Sequence, residues 1–305
     1  MKTFRFPLDD EVICEHLVTA QMKQIWACQL EMVEKFAEVC ERHGLKWFAS
    51  GGTLIGAVRH KGYIPWDDDI DIHMLADDYE KFCQIAPEEL KPFFWQECRT
   101  QPGYGPRHGK IRNSQTTGCT KWEMENWDST MNKGVFIDIF PLYYIPEGKC
   151  KRKIQKIGLR LFRHWIGIYE SVRRQKLQPG GSKCKLLRRI EYALLHGLLR
   201  VSFQDLCVKY LKICQMEKRK TRRVGALSFD FDEPRFIWPT ENYREMVDLP
   251  FMGGTIKAPV EWDACLKQQF GDYMVIRKGA SMHSDILFDV NTPYAEKLKQ
   301  NEVRN

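Results

Sequence analysis

The chain has 305 residues, 47 Lys and Arg against 40 Asp and Glu, a net charge of +7 and 43% hydrophobic residues, enough for one large domain or two small ones. The opening MKTFRFPLDD lacks a long apolar core and no run of about 18 apolar residues occurs, so neither a signal peptide nor a transmembrane helix is expected. Eleven cysteines lie scattered without CxxC pairs, which argues against a zinc site or a disulfide scaffold and fits a reduced cytoplasm.

From about Val18 to His43 apolar residues recur at helical spacing (Met22, Ile25, Val33, Phe36 and Val39 or Cys40), and Gly44 stops the run. The spacing predicts one long helix packed on a sheet. Strands are predicted near 45–50, 67–74, 108–113 and 134–140, with the turn-rich TQPGYGPRHG between two of them. Residues 150–223 differ in composition: 21 Lys and Arg face only Glu170, Glu191, Asp205 and Glu217, a net of +17 that leaves −10 on the rest. Helical periodicity runs through Ile157, Leu161, Trp165 and Ile168, then through Leu186, Ile190, Leu194 and Leu198, with LQPGGSK at 177–183 between the runs. This is read as a basic helical insertion at 147–228, flanked by a core at 1–146 and a segment at 229–305 that completes it. Such a module can lie on an anionic membrane, or simply carry a basic outer face on packed helices; nucleic acid is the weakest of the three readings. Near the end, Trp238 and Tyr243 either wall a base or sugar pocket or sit in the core.

The densest chemistry lies in GGTLIGAVRHKGYIPWDDDIDI at 51–72. Gly51 and Gly52 open a short helix, where small residues and free N–H groups suit a phosphate, and Thr53 is a candidate cap. Arg59, His60 and Lys61 follow, as phosphate ligands or as a basic helix end complementing the dipole. If 67–74 is a strand, alternation puts Asp67, Asp69 and Asp71 on one face, with Asp68 elsewhere and Ile70, Ile72 and Met74 inward. Carboxylates this close resist ionising together, and a divalent cation removes the conflict. Asp69 and Asp71 therefore suit a metal for phosphoryl transfer, with Asp67 a third ligand or a general base; the plain alternative is a solvated acidic turn. In RHGKIRNS, Lys110 and Arg112 share a strand face, which by itself reads as charges on an edge strand. Asp138, among the apolar residues of VFIDIF, needs a partner, either a metal or a cation such as Lys110 or Arg112.

The 22-residue motif closely resembles the signature of the LicD/fukutin family, whose fold belongs to the nucleotidyltransferase superfamily with its Gly-Gly/Ser turn and Asp-x-Asp strand. GVFIDIFPL at 134–142 resembles the family's next block, and LKQQFGDYM at 266–274 its C-terminal element, with Phe270 where Tyr is usual. The resemblance covers roughly 30–146 and 236–275 and is weak between them. Beyond 275 the chain diverges, so no role is assigned there, His283 included.

The resemblance implies an α/β (α+β) fold, a nucleotidyltransferase-like mixed sheet flanked by helices, here with the basic insertion. It implies Mg²⁺ (or Mn²⁺) on Asp69 and Asp71, with Asp67 and Asp138 in support, and a basic strand in which Lys110 and Arg112 are candidate hydrogen-bond donors to the nucleotide phosphates. Family members transfer a phosphorylated alcohol, phosphocholine or ribitol phosphate, from a CDP-activated donor to a glycan. The expected partners are thus a CDP-alcohol, phosphocholine first and ribitol or glycerol phosphate next, and a cell-surface or lipid-linked glycan. CMP would leave. The expected place is the cytoplasm, with peripheral contact at the inner membrane face through 150–223. The competing functions are a nucleotidyltransferase releasing pyrophosphate and a non-catalytic glycan- or nucleotide-binding module.

Overall fold

A computed structural model describes residues 4–120, 131–177, 186–276 and 286–297. A small hairpin, β1 (Glu11–Ile13) and β2 (His16–Val18), leads into α1 (Ala20–Arg42). Thr19 caps this helix by accepting from the Met22 N–H at 3.2 Å. Its inward face, including Ile25, Met32, Val33, Phe36 and Val39, is buried, as the spacing predicts. Gly44 at φ +61 then reverses the chain, a conformation that favours glycine.

The main sheet takes β3 (Phe48–Ala49), β4 (Asp71–Leu75), β5 (Phe94–Gln96), β6 (Gly109–Asn113), β8 (Val135–Tyr144), β9 (Arg223–Gly225) and β10 (Ile237–Pro239). Helices α2 (Gly51–His60) and α3 (Ala76–Glu89) flank β4, and β7 (Thr117–Thr120) follows β6. Strand β8 is the spine: nine of its ten residues are buried, which its near-continuous apolar sequence requires. It pairs in parallel with β4 on one side. On the other it pairs antiparallel with β6 over its first half and with β9 at its last two residues. Pro141 falls between those two partners. The Asp138 N–H points to β4, donating to the Ile70 carbonyl at 2.8 Å, so by alternation the Pro141 nitrogen faces the gap, where its missing N–H costs no bond.

The predicted strands near 45–50, 67–74, 108–113 and 134–140 thus occur with shifted ends, and the fold is the expected mixed α/β one. The largest boundary error matters for the site: β4 starts at Asp71, and Asp67 to Ile70 form an irregular approach to it.

Between β8 and β9 lie α4 (Lys149–Leu177), α5 (Leu186–Tyr192) with a π-helical turn at 193–198, and α6 (Phe203–Cys214). Gln155 is fully buried and donates to the carbonyls of Ile213 and Cys214, both at 3.2 Å, tying α4 to α6. Leu159, Ile166, Ile168, Leu206, Tyr210 and Phe231 build a second core under these helices. The chain is back in the sheet at Arg223. The break expected at LQPGGSK, apart from Leu177, lies outside the described residues.

The C-terminal part adds a hairpin of β11 (Met246–Phe251) and β12 (Gly254–Pro259), then α7 (Trp262–Phe270), and β13 (Ile286–Asp289), which pairs with β7. Trp238 and Tyr243 are 1% and 2% exposed and pack with Phe48 and Cys265, so they are core residues and wall no pocket. His283 lies outside the described residues. No described helix is long and apolar enough to cross a membrane.

His73 on β4 is buried against Trp238 and Tyr243, its Nδ1 3.3 Å from the Tyr243 hydroxyl. Burial pushes the imidazole down to about 3. The unfolded chain takes up this proton near the ordinary value of about 6.5, and the folded chain does not. Stability should therefore fall as pH drops from 6.5 toward 3, by at most about 1.4 kcal/mol per unit from this group. Urea denaturation of His73→Gln across this range should show a shallower acid loss than the parent chain.

Candidate active site

Register assembles the site. Asp71 on β4 is paired with Asp138 on β8, and Lys110 on β6 is paired with Asp138 from the other side. Three neighbouring strands so place two carboxylates and one ammonium in a row. Asp69 joins them: Asp69, Asp71 and Asp138 each offer a carboxylate oxygen, all within 4.8 Å of one another. Asp67, Asp68 and Asp69 form a second such group. Alternation had set Asp68 apart, but the segment before Asp71 is not a strand, so its carboxylate falls in with its neighbours.

The backbone is held from several directions. Trp26 Nε1 donates to the Asp67 carbonyl at 3.0 Å, and Gln29 Nε2 to the Asp68 carbonyl at 2.7 Å. Tyr63 stacks on Trp26 at 4.5 Å and donates its hydroxyl to Gln29 Oε1 at 2.9 Å. The Thr53 hydroxyl accepts from the Asp71 N–H at 2.9 Å, so it steadies the motif and caps nothing; Ser50 is the N-cap. Trp26, Gln29 and Tyr63 were not sequence candidates. Gln29, a fully buried amide on an apolar helix face, is the signal that could have found them.

The two glycines are required by the carboxylates themselves. A Cβ on Gly51 would lie 2.5 Å from Asp71 Oδ2, and one on Gly52 would lie 2.4 Å from Asp67 Oδ2. Gly51 is also at φ +53. The start of α2 therefore touches the acidic cluster directly, with its dipole suited to negative charge.

Burial, then the charges of Asp69 and its neighbours, pushes the Asp67 and Asp71 carboxyls well above the usual range. Asp138 differs. Burial would raise it, but Lys110 Nζ at 2.6 Å and His108 Nε2 at 3.3 Å pull it below the usual range. The ion pair that sequence left open for Asp138 is thus with Lys110. His108 also missed prediction. Its ring lies against Phe140 at 4.5 Å, and neither ring nitrogen has an aligned hydrogen bond.

The other predicted cations are elsewhere. Arg59, His60 and Lys61 end a ten-residue helix whose first residues are Gly51 and Gly52, roughly 10 to 15 Å away along its axis. Arg59 donates to His60 Nε2 and to the Tyr273 carbonyl, both at 2.9 Å, fastening the LKQQFGDYM segment. His60 Nδ1 is 4.0 Å from Cys14 Sγ, and Lys61 is the exposed left-handed C-cap. Arg112 is 6% exposed and donates to Gln96 Oε1 and to the carbonyls of Gly134 (2.7 Å) and Gly118 (3.4 Å). A phosphate would have to displace these bonds, so Arg112 is corrected to a structural cation.

Beside Lys110 and His108 a cleft of about 440 Å³ opens between β6 and the inserted helices. Arg107, Arg163, Tyr210 and Ser228 complete much of its wall.

Residues 44–158 match the family model described as "LicD/FKTN/FKRP, nucleotidyltransferase domain". This region is similar to the nucleotidyltransferase domain of the LicD family. It contains every residue of the acidic cluster. Over 258 residues the chain is 25% identical to the lipopolysaccharide cholinephosphotransferase LicD of Haemophilus influenzae, covering 80% of the chain and 88% of that protein. Over 66 residues it is 32% identical to the ribitol 5-phosphate transferase FKRP of Homo sapiens and of Mus musculus, covering 20% of the chain and 13% of theirs. The LicD-family relatives named here are transferases.

Lys110 and Asp138 should behave as a buried pair. Lys110→Met leaves a buried carboxylate uncompensated and is expected to cost about 3 kcal/mol in urea denaturation at neutral pH. Adding Asp138→Asn should recover at least half of that loss.

Proposed function

We propose that the protein is a metal-dependent phosphotransferase that moves a phosphorylated alcohol from a CDP-activated donor to a saccharide hydroxyl, releasing CMP. The observation that carries this is the convergence of Asp69, Asp71 and Asp138 oxygens within 4.8 Å on a LicD-family sheet. The donor set fits Mg²⁺ or Mn²⁺: all ligands are hard oxygens, and two of the cluster's carboxyls, those of Asp67 and Asp71, resist ionising without a cation. Asp69, Asp71 and Asp138 would hold it. The chemistry such an ion would supply there is neutralisation of charge on the donor's diphosphate.

The chain's own groups divide the remaining work. Lys110 keeps Asp138 ionised as a ligand and makes it a weak base. Asp67, which stands outside the three proposed ligands, is the carboxylate left to accept the proton of the attacking hydroxyl once a bound cation keeps it ionised. The free N–H groups at the start of α2 favour the donor's phosphate oxygens. The cleft beside Lys110 and His108 has room for part of the donor or acceptor, and binding there excludes water and lines up the reacting groups. Phosphocholine is the first candidate cargo, because the relative aligned over most of the chain is named a cholinephosphotransferase.

The test is to incubate the protein with CDP-choline, CDP-ribitol or CDP-glycerol, Mg²⁺ and a saccharide acceptor, and to measure CMP. Asp69→Asn and Asp71→Asn should each abolish release while keeping the parent's circular dichroism spectrum. Asp67→Asn should slow it by roughly 10²-fold or more. Pyrophosphate release from a nucleoside triphosphate would instead favour a nucleotidyltransferase. Full CMP release by both Asp69→Asn and Asp71→Asn would overturn the assignment.

A further inference from the structure

The inserted helices expose apolar residues that the helical core does not explain. On α4, Ile154, Ile157 and Leu161 are 59%, 54% and 43% exposed, and their spacing puts them on one stripe. On α5 and the turn after it, Leu186, Leu187, Ile190, Leu194 and Leu198 are exposed, and none of the seven residues of α5 is buried.

Contacts join the two helices. Arg188 Nη1 donates to Ser171 Oγ at 2.8 Å, the Tyr192 ring meets the Tyr169 ring at 4.9 Å, and His164 Nε2 lies 3.4 Å from Glu191. The order of these contacts makes α4 and α5 antiparallel. The same register carries Leu198 to the level of Leu161, so the α5 row runs toward the exposed start of α4. Tyr192 and the buried Leu195 hold α5 to the core, leaving its outer side free of that task.

The charge is equally unusual. Residues 150–223 carry +17, while the rest of the chain carries −10. Exposed Lys153 flanks the α4 row, and exposed Arg189 lies beside the α5 row. A soluble protein seldom shows contiguous apolar surface without a partner for it. A second copy of this chain would meet the apolar rows but would bring two strongly cationic lobes together. An anionic bilayer satisfies both features, taking the apolar side chains into its interface and the cations against its headgroups.

We propose that the α4–α5 hairpin docks this protein onto an anionic lipid bilayer. No described helix spans a membrane, so the contact is peripheral.

The full chain should be sedimented with vesicles of phosphatidylcholine alone and of phosphatidylcholine mixed with phosphatidylglycerol. Binding to the anionic vesicles is expected, at least about tenfold tighter than to the neutral ones, and weakened by salt. Leu187→Glu with Leu194→Glu should reduce it by about tenfold or more, and so should Lys153→Glu with Arg189→Glu. All four residues are exposed and outside the acidic cluster, so CMP release from a soluble acceptor and the thermal midpoint should not change. Absent vesicle binding by the parent chain, or binding equally strong in both double variants, overturns the proposal. So does a dimer in sedimentation velocity that Leu187→Glu with Leu194→Glu dissolves, because the surface then belongs to a second copy. CMP release is read separately, so the two proposals fail separately.

Discussion

Five carboxylates gathered in two groups that share Asp69 are the constraint around which this half of the chain is arranged. Asp67, Asp68, Asp69 and Asp71 crowd the approach to β4, and Asp138 closes the group from β8. Ionised together, these groups would repel one another. A backbone anchored on several sides keeps them close, and the anchors come from distant parts of the chain. The side chains of Trp26 and Gln29 reach from α1, the Thr53 hydroxyl from α2 and the Asp138 amide from β8. Folding energy stored elsewhere in the core is therefore spent on holding an arrangement that is locally unfavourable.

Much of this was legible in the sequence. The motif at 51–72 points to the carboxylates, and the apolar run around Asp138 points to a buried acid with a partner. The expected helix at the start and the expected mixed sheet are present. What could not be read is which cation goes where. Lys110 and Arg112 share a strand face, yet one neutralises Asp138 and the other ties together Gln96 and two backbone carbonyls. That choice depends on which strand lies alongside, a long-range fact absent from local pattern. Arg59, His60 and Lys61 end the helix that the glycines begin, and Arg59 is bound to the Tyr273 carbonyl, a partner 214 residues away that local pattern does not show.

The inserted helices are more than an appendage. Their second core includes Tyr143 of β8, and their inner faces form one wall of the cleft beside Lys110 and His108. A substrate in that cleft would touch the catalytic sheet on one side and the helical segment on the other. The cleft and the exposed apolar row of α4 are thus neighbours across a few helical turns.

The sheet leaves off and resumes almost at one point. Tyr144 and Val224 are register partners, and the Ile145 N–H donates to the Arg223 carbonyl at 3.0 Å. The chain between leaves and rejoins the sheet at this clasp, and Arg173, Gln204 and Gln215 tie it back to Gly103, Cys98 and Glu80. Because closing a loop costs only slowly more as it lengthens, the sequence separating Tyr144 from Val224 adds little to the cost of pairing them. One end of β8 thus fixes Asp138 by pairing on both sides, while the other end is the gate through which the helical segment departs and returns.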